Sequence, residues 1–222
     1  MTLKLYFHPF SSFCQKVLND TPFEREIVDL GNPVAASAFK TMWPIGKFPV
    51  LRDDNRDQTL PESSIIIEYL AEHYPGRLEL VPKDRDLARE TRMSDRFFDL
   101  YVHVPMQKIV TNTLRPEGTS DALGVEQARG LLQTSLAILE GKLQSKTWAM
   151  GESFTMADCA AAPALFYANL AMPLDKSHKL TAAYLRRLMQ RSPFARCIEE
   201  AKPYRHFFPI KDADWSFAEF SS

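Results

Sequence analysis

The stretch from Lys47 to Leu70 constrains the fold most, because it places a proline-broken strand ahead of a helix start. Pro49, in the run Lys47-Phe48-Pro49-Val50-Leu51, cannot donate to a sheet ladder, so it belongs at a sheet edge or at a strand's first residue. The amide and carbonyl of Phe48 are then expected to be free, and a cis bond at Pro49 would turn them outward. A free strand edge binds an extended peptide by strand addition. The alternative is an ordinary proline turn.

The helix that follows is predicted to begin near Ser63. Four residues at helical spacing predict an apolar face: Ile65, Ile66, Tyr69 and Leu70. Ser63 or Ser64 is placed to cap the first turn, whose amides attract carboxylates. Glu62 is placed to hold an ammonium group, and Lys47 a second carboxylate. The stretch therefore suits a small zwitterionic peptide, although Glu62 could simply complement the helix dipole.

The start of the chain predicts a strand-to-helix turn that carries a hydroxyl. Alternating residues at 3–7 predict a first strand, which the residues at 8–10 end, and a serine then stands where a helix cap belongs. The positive end of a helix dipole favours a thiolate over a thiol. In the pattern Ser11-x-x-Cys14 the first position cannot form a mixed disulfide. We therefore predict a hydrogen bond from Ser11 to the thiolate of a bound ligand.

Two alternatives to this assignment stay open. Ser11 and Ser12 serve equally as simple helix caps, and only the spacing to Val17 favours Ser11 over Ser12. Cys14, one turn inside the helix, is expected to be a small buried apolar residue. If it were reactive instead, the protein would be a thiol-dependent reductase or lyase.

These motifs together resemble a known family. The order of a short strand, a serine turn, a second strand, Lys47-Phe48-Pro49-Val50-Leu51 and then Pro61-Glu62-Ser63-Ser64 is similar to the glutathione-binding domain of the soluble glutathione S-transferases. The segment near Thr155 resembles that family's second domain. The serine pattern is similar to bacterial members of the zeta and tau type, in which the serine matching Ser11 stabilises the glutathione thiolate. The resemblance implies glutathione as co-substrate, a homodimer and a role in detoxification.

The predicted architecture is a thioredoxin-like domain followed by helices. The order of strand, helix, strand and helix implies a parallel pair, and a later hairpin completes a four-stranded mixed sheet. We expect the thioredoxin-like domain at residues 1–78, a linker at 79–85 and an all-helical domain at 86–222. The first helix departs from the family, because a turn is predicted at 19–22, directly after Leu18.

The helical domain is predicted from three features. Residues 84–114 are long enough for an extended helix, which Pro105 is expected to bend. Thr155 and Asp158 form a capping-box variant, so Asp158 is expected to have a folding role rather than a catalytic one. The C-terminal tail is dense in aromatic residues. It either packs over a cleft or covers the helical core, and core covering is the preferred expectation.

Composition excludes several classes of function. The chain has 222 residues, 45% of them hydrophobic, and a formal net charge of −1, which favours neither disorder nor a nucleic-acid partner. No apolar run is long enough to span a membrane, and no signal segment is recognisable, so a cytoplasmic protein is expected. Three widely spaced cysteines predict free thiols. The five histidines show no zinc spacing, and no nucleotide-binding motif is present.

The predicted function is therefore that of a glutathione transferase that adds glutathione, as a thiolate, to a small hydrophobic electrophile. Phe13, Tyr101 and Val104 are the candidate residues for the electrophile pocket. The sequence leaves open whether the reaction is conjugation, isomerisation or dehalogenation. The alternatives are a glutathione- or hydrophobe-binding protein of the same fold without turnover, and a glutathione-dependent thiol reductase or lyase that uses Cys14.

Overall fold

The computed structural model describes residues 3–17 and 23–217. The turn predicted at 19–22, together with Leu18, and Phe220 of the aromatic tail lie outside the described residues. No helix within the described residues is long and apolar enough to cross a membrane.

A four-stranded mixed sheet forms the first part of the chain, as predicted. Its strands are β1 (Leu3–Phe7), β2 (Glu24–Ile27), β3 (Val50–Asp53) and β4 (Gln58–Pro61). They lie in the order β2-β1-β3-β4, with β1 parallel to β2 and antiparallel to β3, and with β3 antiparallel to β4. The alternation in β1 buries Leu3, Leu5 and Phe7 in the core.

In the part of the chain that the structure describes, three helices accompany the sheet: α1 (Ser12–Val17), α2 (Pro33–Met42) and α3 (Ser63–His73). The start of α2 follows from its sequence, because Pro33 occupies the first helical position and the Asn32 side chain accepts hydrogen bonds from the next two amides. The core face of α1 and α3 packs with β1 and β3 in one hydrophobic cluster that continues into the helical part of the chain.

The remainder of the described chain is helical, as predicted. Its elements are α4 (Arg85–Phe97), a π-helical segment (Phe98–His103), α5 (Val104–Asn112), α6 (Ala122–Lys142), α7 (Met156–Ala171), α8 (Lys179–Met189), α9 (Ser192–Ala201) and a 3₁₀ helix (Lys202–Phe207). Every residue of α7 except Asn169 is buried. Its many alanines let α1 and α4 approach closely, which makes α7 the centre of the helical part.

Asp158 has the folding role predicted for it. Its carboxylate accepts hydrogen bonds from the backbone amides of Thr155 and Ala149, both at 2.8 Å, and from the hydroxyl of Tyr184 at 2.5 Å. Burial raises the pKa of Asp158, and these donors lower it by a smaller amount, so the pKa stays above its usual value. The carboxylate therefore joins the start of α7 to the preceding loop and to α8.

The long helix predicted at 84–114 is interrupted before Pro105, the residue at which a bend was expected. The π-helical segment ends at His103, two residues before Pro105. A proline lacks the amide that an α-helical turn needs, and a wider turn ahead of it accommodates that loss.

Two expectations about α3 were wrong. Ile65 is 51% exposed, and Ile67 takes its place in the buried face beside Ile66 and Leu70. Three consecutive isoleucines leave the phase of the helix ambiguous by one residue, which rotates the predicted face by about 100°. Neither Ser63 nor Ser64 caps the helix. Both lie inside the first turn, whereas a capping side chain must come from the residue before it.

Candidate active site

A cleft of about 370 Å³ opens where β1 and β2 end. The carboxyl ends of parallel strands meet at one edge of a sheet, so the loops that follow β1 and β2 lie side by side. The lining residues come from these two loops, from the residue before Pro49 and from the 3₁₀ helix: His8, Phe10, Ser11, Val28, Asp29, Leu30, Gly31, Phe48 and Phe207. The cleft thus brings together Ser11 and Phe48, which the sequence predicted as parts of one site.

Ser11 stands at the turn between β1 and α1, as predicted. Its amide donates to the carbonyl of His8 at 3.0 Å, and its carbonyl accepts from the amide of Gln15 at 2.9 Å. The Ser11 hydroxyl accepts a long hydrogen bond, 3.4 Å, from the amide of Cys14. Because the hydroxyl acts as acceptor in that bond, its own proton is available for a stronger acceptor in the cleft.

Ser12 is the first residue of α1 and does not line the cleft. Its hydroxyl oxygen lies 2.6 Å from Nε2 of His103, at the end of the π-helical segment. His103 is 4% exposed, and burial, with a smaller contribution from the nearby Lys16 charge, lowers its pKa to about 4. The imidazole is therefore neutral at pH 7, and it engages the hydroxyl of Ser12 away from the cleft.

Cys14 is the buried apolar residue expected at its position. Its side chain has 0% exposure, and burial raises the pKa of its thiol to about 12 despite hydrogen bonds with Ser11 and the His8 backbone. A thiol with that pKa is protonated at neutral pH, and a protonated thiol is a poor nucleophile.

The predicted strand edge is present beside the cleft. The Phe48–Pro49 bond is cis, and β3 begins immediately after it. Among the residues that the structure describes, the Phe48 amide and carbonyl have no backbone partner. The His8 ring stacks on the Phe48 ring with centroids 6.0 Å apart.

The start of α3 combines a strained residue with first-turn amides that have no backbone partner among the described residues. Glu62 has φ of +71°, a region that costs a residue with a side chain on the order of 1–3 kcal/mol. Its carbonyl accepts from Ile66, the first amide with an intrahelical partner. Ser63 is buried, whereas Glu62 and Lys47 are exposed, and none of the three lines the 370 Å³ cleft. Their binding role therefore stays a prediction.

The three residues predicted for the electrophile pocket lie elsewhere on the surface of the described chain. The Phe13 ring packs against His103 with centroids 4.3 Å apart. Tyr101 is 45% exposed and packs on Phe97, and Val104 is 49% exposed. None of the three is among the residues that line the cleft, so this pocket also stays a prediction.

Aromatic residues of the cleft were missed from the sequence. His8 and Phe10 were interpreted only as the end of a strand, yet the His8 ring makes edge contacts with Tyr204 at 4.7 Å and Phe207 at 6.2 Å. The aromatic tail therefore has both roles considered for it, packing over a cleft and covering the helical core. Its first rings lie over the cleft, whereas Phe208 is buried in the helical core.

A buried charge cluster near the site was also missed. Lys16 of α1 is 2% exposed, and its ammonium lies 2.7 Å from Asp95 and 2.8 Å from Asp99, both buried. Its third partner is the hydroxyl of Ser64, at 2.8 Å. Because burial outweighs the nearby cation, the pKa of Asp99 is raised. The cluster ties α1 to the start of α3 and to the segment from α4 onward.

No group of three histidine, cysteine, aspartate or glutamate side chains able to hold a metal ion occurs in the described parts of the chain. The cleft is lined by the Ser11 hydroxyl, aromatic rings, the Asp29 carboxylate and the free strand edge at Phe48.

This fold and cleft place the protein in the class of thioredoxin-like domains joined to a helical bundle. Family models match both parts: the glutathione S-transferase N-terminal domain over residues 5–78 and the glutathione S-transferase C-terminal domain over 122–191. The chain belongs to the soluble glutathione S-transferase family.

Individual relatives agree with this membership. A glutathione S-transferase-like protein, LUC7, of Fusarium is 29% identical over 173 residues, which cover 75% of this chain and 74% of the relative. A probable maleylacetoacetate isomerase of Caenorhabditis elegans is 31% identical over 156 residues, covering 68% and 70%.

The solved structure of a Methylobacillus flagellatus glutathione S-transferase with bound glutathione is 25% identical. It superposes with a TM-score of 0.80 over 88% of this chain and 98% of that one. Glutathione transferase F7 of Populus trichocarpa, also 25% identical, superposes with a TM-score of 0.77 over 90% and 99%.

Proposed function

We propose that this protein is a serine-type glutathione transferase that binds glutathione as a thiolate and adds it to a small hydrophobic electrophile. One observation carries the assignment of the serine. Ser11 supplies the hydroxyl in the cleft lining, whereas the Ser12 hydroxyl contacts His103 and the Cys14 thiol is buried.

The chemistry assigned to Ser11 is a hydrogen bond to the glutathione sulfur. A thiolate is a stronger acceptor than a neutral thiol, so a fixed hydroxyl donor lowers the pKa of the bound thiol. The sulfur then attacks the electrophilic carbon with its electron pair. The carbon's leaving group departs with its own pair, or, in an addition, the electron pair moves to a neighbouring atom that takes up a proton.

The peptide part of glutathione is assigned to the strand edge and the start of α3. The unpaired amide and carbonyl of Phe48 match the backbone of an extended cysteinyl residue. The Ser63 hydroxyl and the first-turn amides are assigned to the γ-glutamyl carboxylate, and Glu62 to the ammonium group. Lys47 has the charge required for the glycine carboxylate.

The electrophile is assigned to the aromatic side of the cleft. The rings of Phe10 and Phe207 lie 6.5 Å apart between centroids, next to Ser11. Phe13, Tyr101 and Val104 remain candidates for an extension of this surface. Homodimer formation, a cytoplasmic location and detoxification are proposed from family membership.

The two alternatives differ in their support. A thiol reductase that uses Cys14 is disfavoured, because the thiol is buried and its pKa is raised to about 12. A binding protein without turnover keeps the same glutathione contacts and differs only in the chemical step.

Titration calorimetry with glutathione, followed by turnover with an aryl halide, tests the proposal. We expect binding and conjugation in the wild type and in Cys14→Ser. Binding without conjugation of any of several electrophiles would favour the binding protein. A Cys14–glutathione mixed disulfide required for turnover, detected by mass spectrometry, would establish the reductase.

A further inference from the structure

The contact between His103 and Ser12 joins the active-site turn to the helical part of the chain. The two residues are 91 positions apart, and Nε2 of the imidazole lies 2.6 Å from the Ser12 oxygen. The Phe13 ring packs against the same imidazole, with centroids 4.3 Å apart. His103 thus contacts the two residues that directly follow Ser11.

The environment of His103 indicates which ring nitrogen carries the proton. The ring is neutral, because burial lowers the pKa of His103 to about 4. Its Nδ1 is buried without a hydrogen-bond partner among the residues that the structure describes. A buried N–H without an acceptor is rarer in proteins than a buried acceptor without a donor. The proton therefore belongs on Nε2, which donates to the Ser12 oxygen.

The contact between His103 and Ser12 lies directly beside the turn that carries Ser11. Ser12 opens α1, and the preceding Ser11 forms the turn that faces the cleft. Among the described residues, the Ser11 hydroxyl accepts a long hydrogen bond of 3.4 Å from the Cys14 amide and interacts with the buried Cys14 thiol. A hydrogen bond to a thiolate depends on donor geometry within a few tenths of an ångström, so the neighbouring anchor determines where the Ser11 hydroxyl points.

We propose that His103 is a positioning residue, which fixes the first turn of α1 through Ser12 so that the Ser11 hydroxyl stays directed at the glutathione sulfur. This inference rests on the proposed role of Ser11 and adds a second, remote residue to it. His103 itself does not touch the sulfur.

Five single variants and one double variant separate this role from a purely structural one. His103→Phe keeps a ring against Phe13 and removes the N–H donor, whereas His103→Gln keeps an N–H donor near the position of Nε2. Ser12→Ala removes the acceptor, and Ser11→Ala provides the background for a double mutant with His103→Phe. His178→Phe is the control for the loss of a histidine outside the site, because it removes the contacts of His178 with Ser177 at 3.4 Å and with Asp175 at 3.0 Å, at the start of α8.

The measurements are the pKa of the bound glutathione thiol, from ultraviolet thiolate absorbance, and kcat and KM with an aryl halide. We expect His103→Phe and Ser12→Ala each to raise the thiol pKa and to lower kcat by about tenfold, the effect of one neutral hydrogen bond. The KM for glutathione is expected to be unchanged. His103→Gln should restore most of the activity, and His178→Phe should behave as wild type.

The Ser11→Ala background decides whether the effect passes through Ser11. If it does, adding His103→Phe to Ser11→Ala causes no further loss. A further loss of the same size, a wild-type thiol pKa in both His103→Phe and Ser12→Ala, or a failure of His103→Gln to restore activity would overturn the inference. Ser11→Ala alone tests the proposed function separately, and wild-type behaviour there removes both proposals. If His103→Phe does not fold, Ser12→Ala decides the outcome, because it replaces only a partly exposed hydroxyl.

Discussion

Replacing Lys16 by methionine is expected to destabilise the fold severely, because it removes the cation from the buried cluster. Lys16 contacts Asp95 at 2.7 Å, Asp99 at 2.8 Å and the Ser64 hydroxyl at 2.8 Å, with its side chain 1% exposed. Methionine has nearly the same volume, so the loss is electrostatic rather than a cavity. Two buried carboxylates then face each other. Among the described residues, the half-exposed Arg96 guanidinium still contacts both, and the Ser64 hydroxyl still donates to Asp95 at 2.7 Å.

Removing one partner of a buried ion pair costs about 3–5 kcal/mol, because the remaining charge is left uncompensated. Arg96 supplies part of the missing charge, so we expect the lower end of that range. Such a loss is a large fraction of the roughly 5–15 kcal/mol by which a typical domain is stable.

Urea unfolding followed by far-ultraviolet circular dichroism, at fixed protein concentration, measures this loss. The matched control is the triple variant Lys16→Met, Asp95→Asn, Asp99→Asn, which removes all three charges and should recover most of the stability. A loss below about 1 kcal/mol in Lys16→Met, the range typical of exposed pairs, would refute the argument. A triple variant as unstable as the single one would do so as well.

Three further predictions concern the histidine and the two ends of the site. Burial lowers the pKa of His103 from 6.5 to about 4. The neutral histidine's contribution to the free energy of unfolding is therefore present above pH 6.5 and is lost as pH falls toward 4. Urea unfolding at pH 7 and 4.5 should show a loss about 2.4 kcal/mol larger in wild type than in His103→Gln, and equal losses would contradict this. Phe207→Ala should raise the KM for an aromatic electrophile by up to about tenfold through lost apolar contact, whereas Leu123→Ala, exposed on α6, should not. Glu62→Ala and Ser63→Ala should each weaken glutathione binding by about 1–3 kcal/mol in calorimetry, and wild-type affinity in both would remove them from the site.

The sheet and most helices could be predicted because their signals are local. Alternation in β1, the proline before β3 and the Thr155–Asp158 pair each act within a few residues. The same holds for the placement of Ser11 at a strand-to-helix turn. The phase of α3 was not predictable with equal certainty, since the run of isoleucines at 65–67 fits two faces that differ by one residue.

The parts that escaped prediction depend on contacts between distant residues. Lys16 lies in a helix as lysines commonly do, and only the folded chain shows it buried against residues of α4 and the π-helical segment. His103, the last residue of the π-helical segment, contacts Ser12 although the two residues are 91 positions apart. Tyr204 reaches His8 from the far end of the chain, and no spacing in the sequence encodes that contact.

The pKa of the glutathione thiol bound to wild type and to Ser11→Ala tests the central claim most directly. It is measured by ultraviolet absorbance of the thiolate as a function of pH, with glutathione affinity determined in parallel. Losing one hydrogen bond to a charged acceptor, roughly 1.5–3 kcal/mol, should raise the bound thiol pKa by about one to two units. The affinity measured below both pKa values should be unchanged, because the peptide contacts are made elsewhere. An unchanged titration curve in Ser11→Ala would contradict the account and transfer the role to another group.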